Sequence, residues 1–227
     1  MKTFEDVKEE LLQRAREAGA CQKGYKMGLE ANSKQELLKA ITANWWWVLY
    51  SVKIVDAKYL EENFTQDELN EAGIYTCGTH EIRTVSFACG SATVEAYGSA
   101  TVEAYGSATV KAYDSATVKA YDSATVKAYV SATVKAYDSA TVEAYDSATV
   151  KAYDSATVEA YDSATVEAYG SATVEAYGSA TVKAYGNSYV EDITGNIRPS
   201  GGFAIVKDYY NNKIYVKKGK FEIIEVE

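Results

Sequence analysis

The sequence predicts a mainly β protein: a capped β-solenoid of twelve 8-residue repeats, 16 residues per coil in two flat parallel sheets, with a helical N-terminal domain and a β-meander C-terminal cap. Three observations carry this expectation. The octad Gly/Asp-Ser-Ala-Thr-Val-Glu/Lys-Ala-Tyr recurs without gaps from Gly90 to Tyr185. Within it Ala, Val and Ala alternate with Thr, Glu/Lys and Tyr, the period of an extended strand. The flanking segments carry other periods, helical before the repeat and strand-like after it. Three domains follow: residues 1–89, 90–185 and 186–227.

In the first of these, residues 1–79 read as helical. Three Ser/Thr residues are each followed by an acid three places on: Thr3 with Asp6, Ser33 with Glu36, and Thr65 with Glu68. That spacing lets a hydroxyl and a carboxylate satisfy the free N–H groups of a helix start. Phe4, Val7, Leu11 and Ala15 share one face of the first helix, and the third helix is short and stops at Gly73. The second carries Leu37, Leu38, Ile41, Trp45, Val48, Leu49 and Val52 on one arc, which leaves Trp46, Trp47 and Tyr50 off its core side.

The octads decide their own faces. A charged residue in every unit resists burial, so Ala-Val-Ala points inward and Thr, Glu/Lys and Tyr point outward. Gly/Asp-Ser falls between strands, where Gly tolerates positive φ and Asp or Ser bonds nearby amides. A helix is excluded because an eight-residue period drifts around a 3.6-residue turn and because Thr, Val and Tyr favour β-structure. Two Ala per strand fill only a thin interior, which favours two sheets and two octads per coil over a triangular coil of three. Charge does not arbitrate: neighbours are opposite in 5 of 10 pairs at an offset of 16 residues and in 6 of 9 at 24. Six coils at the usual strand spacing give a rod of ~29 Å. Stacking puts like upon like, so Tyr97, Tyr113, Tyr129, Tyr145, Tyr161 and Tyr177 form one outward ladder and the alternate tyrosines a second.

After Tyr185 the octad degrades through Asn187-Ser188-Tyr189-Val190, and Thr194-Gly195-Asn196 turns. Alternation then runs through Phe203 to Lys207, Lys213 to Lys218 and Phe221 to Val226, with turns at Asn211-Asn212 and Lys218-Gly219-Lys220. Both flanks act as caps, because bare terminal coils would template end-to-end association.

Composition excludes several function classes. The net charge of −9 divides as −3, −6 and 0 over the three domains, so no segment tracks a phosphate backbone or an anionic membrane. The start of the chain lacks the apolar stretch of a signal peptide, which predicts a cytoplasmic protein, with phage association or non-classical export as alternatives. Cys21, Cys77 and Cys89 match no metal or redox spacing and read as reduced thiols. The one histidine, His80, has no relay partner nearby in sequence, and the glycines from 195 to 202 open no strand-to-helix phosphate loop. No catalytic residue, cofactor or metal is expected. The corner aspartates Asp114, Asp122, Asp138, Asp146, Asp154 and Asp162 read as turn formers, since the glycine pairs and the nine-residue period of calcium-binding solenoids are missing.

The octads resemble tandem Asp-Asn-Ala-Thr-Val-x-Ala-Tyr units of uncharacterised bacterial and phage-associated proteins, which have similar helical and β ends. The resemblance spans the chain and is specific in the repeat and looser in the caps; Ser stands here where Asn is frequent there, and five units start with Gly. It implies the fold and carries no activity. The expected function is a structural or spacer rod. The alternative is a binding module for a glycan, filament or protein, using the Tyr, Thr and charged rows with Trp46, Trp47 and Tyr50 as a second contact.

Overall fold

The computed structural model describes residues 2–216. Five α-helices open the chain: α1 (Phe4–Glu17), α2 (Gln22–Glu30), α3 (Lys34–Ala43), α4 (Ala57–Asn63) and α5 (Gln66–Glu71), with a π-helical turn Trp46–Ser51 after α3. Thr3, Ser33 and Thr65 cap α1, α3 and α5 as the spacing predicts, Thr3 and Thr65 with the reciprocal acid bond. The second predicted helix does not run on to Val52. It stops at Asn44, whose Nδ2 donates to Ala40 O, and the wider π turn buries Trp45 while redirecting the aromatics after it. Two further helices start without a Ser/Thr and acid pair: Cys21 Sγ accepts from Gly24 N ahead of α2, and Asp56, with no acid three places on, accepts from Tyr59 N ahead of α4.

Strands β1 (Ile74–Tyr75), β2 (Thr79–Ile82) and β3 (Val85–Ala88) precede the octads and join their sheets, so parallel pairing begins before Gly90. Strands β4 to β15 are the Thr-Val-Glu/Lys-Ala segments of the twelve octads, from Thr93–Ala96 to Thr181–Ala184. They alternate between an eight-stranded sheet, β1 and the odd-numbered strands from β3 to β15, and a ten-stranded one. Each octad pairs in register with the octad sixteen residues on, Thr125 with Thr141 and Val126 with Val142 for example. The two-octad coil is therefore the architecture. Ala92, Val94 and Ala96 and their equivalents are buried and form one continuous core between the sheets.

Corner chemistry explains why the first octad position is Gly or Asp. Every such residue has positive φ, 64–65° for the five glycines and 54–56° for the aspartates. At Gly90 a Cβ would stand 2.6 Å from Thr76 O, so no side chain fits. At five of the corners Asp adds a bond, because its carboxylate accepts from the corner N–H one coil earlier, for example Asp114 from Gly98 N at 2.9 Å, Asp138 from Asp122 N at 3.1 Å and Asp146 from Val130 N at 3.0 Å. The amide is one coil away rather than local.

Val130 is the exception, a β-branched residue held at φ 60° that offers Asp114 N–H no acceptor. Val130→Asp is expected to stabilise the protein by about 1–2 kcal/mol, through relief of left-handed strain and a charge-assisted bond. Chemical denaturation measures it, and an unchanged or lower midpoint contradicts this account of the corner.

Beyond the last octad, β16 (Tyr189–Asp192) and β17 (Ile205–Asp208) add two more parallel rungs to the larger sheet, and β18 (Lys213–Val216) returns antiparallel to β17 around Asn211-Asn212. The first strand of the predicted meander is thus a solenoid rung as well as half of a hairpin. The predicted turn at Lys218-Gly219-Lys220 and the strand Phe221 to Val226 lie outside the described residues. The loop between β16 and β17 closes the smaller sheet, with Ser200 N and Gly201 N donating to Ala184 O.

Candidate functional site

Each sheet presents three outward rows: Thr, Glu/Lys and Tyr. On the larger sheet Tyr97, Tyr113, Tyr129, Tyr145, Tyr161 and Tyr177 stack with centroids 4.9–5.1 Å apart and rings within 7–9° of parallel. On the smaller sheet the alternate tyrosines stack at 4.7–5.2 Å. The spacing is that of the backbone rungs, so rotamer and register, once set in one coil, repeat.

The two ladders differ in what covers them. The helical region lies along the flank of the smaller sheet, and its core includes Tyr105 and Tyr121, only 3% and 7% exposed. Trp45 packs on Phe87 and Tyr105, and Tyr50 packs on Tyr105 and Tyr121. Tyr50 Oη donates to Asp138 at 2.9 Å, and Lys53 pairs with Asp122 at 3.3 Å. The helical region is thus clamped to the side of the rod as well as to its end. The Tyr97–Tyr177 ladder lies outside that helical core.

Trp46 and Tyr50 stand ring against ring, with centroids 5.7 Å apart. Trp46 is 48% exposed, Trp47 turns into the helical core, and Tyr50 serves the clamp, so none of them joins the Tyr97–Tyr177 ladder. His80 is spent structurally, with Nε2–H donating to Cys77 O at 2.7 Å and its ring on Tyr75 at 4.4 Å. Cys89 is buried, which raises its thiol to about 12.

Charge is organised in the middle row. All five opposite pairs at the sixteen-residue offset make ion pairs: Lys111–Glu95, Lys119–Glu103, Lys127–Glu143 and Lys151–Glu167 at 2.8–2.9 Å, Lys183–Glu167 at 3.8 Å. Pairs this exposed are screened by solvent and add little to stability. In each Glu octad the tyrosine also donates to its own glutamate, as in Tyr97–Glu95 at 3.0 Å, Tyr177–Glu175 at 2.6 Å and Tyr161–Glu159. Like charges left side by side give the larger sheet an acidic run, Glu143, Glu159, Glu175 and Glu191, and the smaller sheet a basic one, Lys119, Lys135 and Lys151.

The Tyr–Glu bonds hold the phenols neutral. The Glu143 and Glu175 carboxylates, followed by partial burial, push Tyr145 and Tyr177 from an ordinary value near 10 up to about 12. A value raised in the fold stabilises the neutral state; that contribution is whole below pH 10 and is lost as pH rises through about 12. The solenoid should therefore hold to pH 10 and weaken between 10 and 12. Glu143→Gln should bring one phenol's ultraviolet titration down toward 10, and an unchanged titration curve contradicts the assignment.

No family model, curated protein or solved structure matches the chain. Among the described residues no cluster of His, Cys, Asp or Glu has a geometry that could hold a metal ion, and no helix is long and apolar enough to cross a membrane.

Proposed function

We propose that this protein is a non-enzymatic structural rod that sets or displays a distance between its two dissimilar ends. One observation carries the reading: the twelve octads form an uninterrupted column with one core and one hydrogen-bond pattern from end to end. Such a stack grows by whole coils with a nearly constant interface energy, which suits a spacer. The sole histidine is engaged with Cys77 and Tyr75, which supports a non-catalytic role. The resemblance of the octads to the bacterial and phage-associated repeats is in keeping with a rod. A cytoplasmic location is part of the same proposal, as is the absence of nucleic acid and membrane among its partners, given the net charge of −9.

A second reading is favoured by the asymmetry of the ladders: one is partly buried under the helices, and the other lies outside their core. In that reading the Tyr97–Tyr177 face, with its Thr and Glu/Lys rows, binds a repetitive glycan, filament or protein. A glycan and protein array separates the two. The rod predicts no reproducible ligand; a ligand whose binding falls when Tyr129 and Tyr145 are changed to Ser establishes the binding module instead.

A further inference from the structure

An apolar pocket of about 300 Å³, half open to solvent, lies outside the solenoid, between α1, α2, α3 and the π-helical turn. Leu12 and Ala15 come from α1, Leu37 and Ile41 from α3, and Trp47 and Val48 from the π turn. Asn44 and Tyr25 supply polar atoms at the wall, Cys21 stands at the start of α2, and no charged side chain lines the space. That is the make-up of a small-molecule site at the small end of the usual range: mostly apolar, with a few polar groups to set orientation.

Two local features point to a site rather than to loose packing. Gly24 and Gly28 sit one turn apart on α2, and a Cβ there would stand 3.0 Å from Asn44 Oδ1 and 3.3 Å from Leu12 Cδ2. Two glycines in a nine-residue helix cost roughly 1 kcal/mol each against alanine. Here they bring α2 close to α1 and α3 and keep side chains out of the cavity wall. The second feature is the π turn itself. π-Helical turns are rare and concentrate at functional sites, and this one places Trp47 and Val48 in the wall while its Tyr50 packs on the tyrosine ladder.

We propose that the helical region binds a small uncharged apolar molecule, an alkyl or ring compound with at most a hydroxyl, in this cavity. The absence of charge in the lining sets the class. A hydroxyl has Asn44 Oδ1 as an acceptor; the nearest cations, Arg16 on Tyr25 Oη at 2.7 Å and Arg14 on Ile54 O at 2.8 Å, are already engaged and stand outside the lining, so a carboxylate inside would lose its water without direct pairing. Asn44 Nδ2 is already engaged with Ala40 O.

The experiment is calorimetry and thermal melting of the full chain with 1-decanol and with decanoate as probes. The expected result is saturable one-to-one uptake of decanol with a raised melting temperature, and decanoate at least about tenfold weaker. Ala15→Phe, at the half-exposed edge of the cavity, should abolish uptake while its circular dichroism stays that of the parent. As a readout independent of that variant, bound decanol should slow alkylation of Cys21 by iodoacetamide, followed by peptide mass spectrometry. No saturable uptake, equal binding by Ala15→Phe, or Cys21 alkylation unchanged at saturating decanol would overturn the site; decanoate binding as tightly as decanol would overturn the ligand class.

Discussion

Ala136→Leu should lower stability by about 3 kcal/mol, while Lys135→Leu one residue earlier stays within about 0.5 kcal/mol of the parent. Ala136 is fully buried between the sheets, with Ala120 and Ala152 in register above and below it. The core repeats the same thin Ala-Val-Ala layer in every coil, so the extra carbons of leucine find no slack in a neighbouring rung, and overpacking reaches the top of its usual ~1–3 kcal/mol range. Lys135 points outward between Lys119 and Lys151, where removing its charge relieves a little repulsion. Urea denaturation of both variants reads the difference. Equal midpoints, or a larger loss in Lys135→Leu, would contradict the assignment of the inward and outward faces.

Asp192→Ala should be as damaging, but at one end of the rod. Asp192 is fully buried at an inward position, in register with Ala176, so its carboxylate stands where the column has a methyl group. It accepts from Thr194 N at 2.8 Å, Thr194 Oγ1 at 2.7 Å, Gly195 N at 3.0 Å and Ile197 N at 2.9 Å, folding the loop that covers the last strand of the smaller sheet. Alanine restores the repeat chemically and removes the loop's acceptor. Each buried N–H left alone costs about 1–3 kcal/mol, so a loss of roughly 3–5 kcal/mol is expected, felt first as local opening of the C-terminal coils. Hydrogen exchange should show fast amides over 189–216 with the central octads still protected. Uniform protection along the chain would contradict the role given to Asp192.

The octads were legible because each position answers one question. Alternation names the face, the charged residue names the outside, and the small inward residues limit coil width, so coil size and ladder both followed from eight letters. The helix starts at Thr3, Ser33 and Thr65 were legible from a local bond that needs no tertiary context. What stayed hidden depends on contacts distant in sequence. Tyr105 and Tyr121 carry the same octad as Tyr97 and Tyr113, and only the placement of Trp45, Tyr50 and Lys53 makes them part of the helical core. The π turn is hidden for a related reason, since an i→i+4 pattern continues through it. A signal for the C-terminal rungs did exist: Tyr189-Val190-Glu191-Asp192 and Ile205-Val206-Lys207-Asp208 stand sixteen residues apart, one coil, and read as worn octad strands with Asp in place of Ala.

The two-octad coil is tested most directly by cross-linking across one rung. In a background with Cys21→Ser and Cys77→Ser, the pair Thr125→Cys with Thr141→Cys puts two outward thiols on in-register neighbours of the larger sheet, about one strand spacing (~4.8 Å) apart. The pair Thr125→Cys with Thr149→Cys, separated by 24 residues, puts them on different sheets, facing opposite ways. A short bifunctional thiol reagent should join the first pair nearly completely and leave the second unjoined. Efficient joining of the 24-residue pair, with the 16-residue pair unreactive, would show a three-octad coil and contradict the two-sheet solenoid.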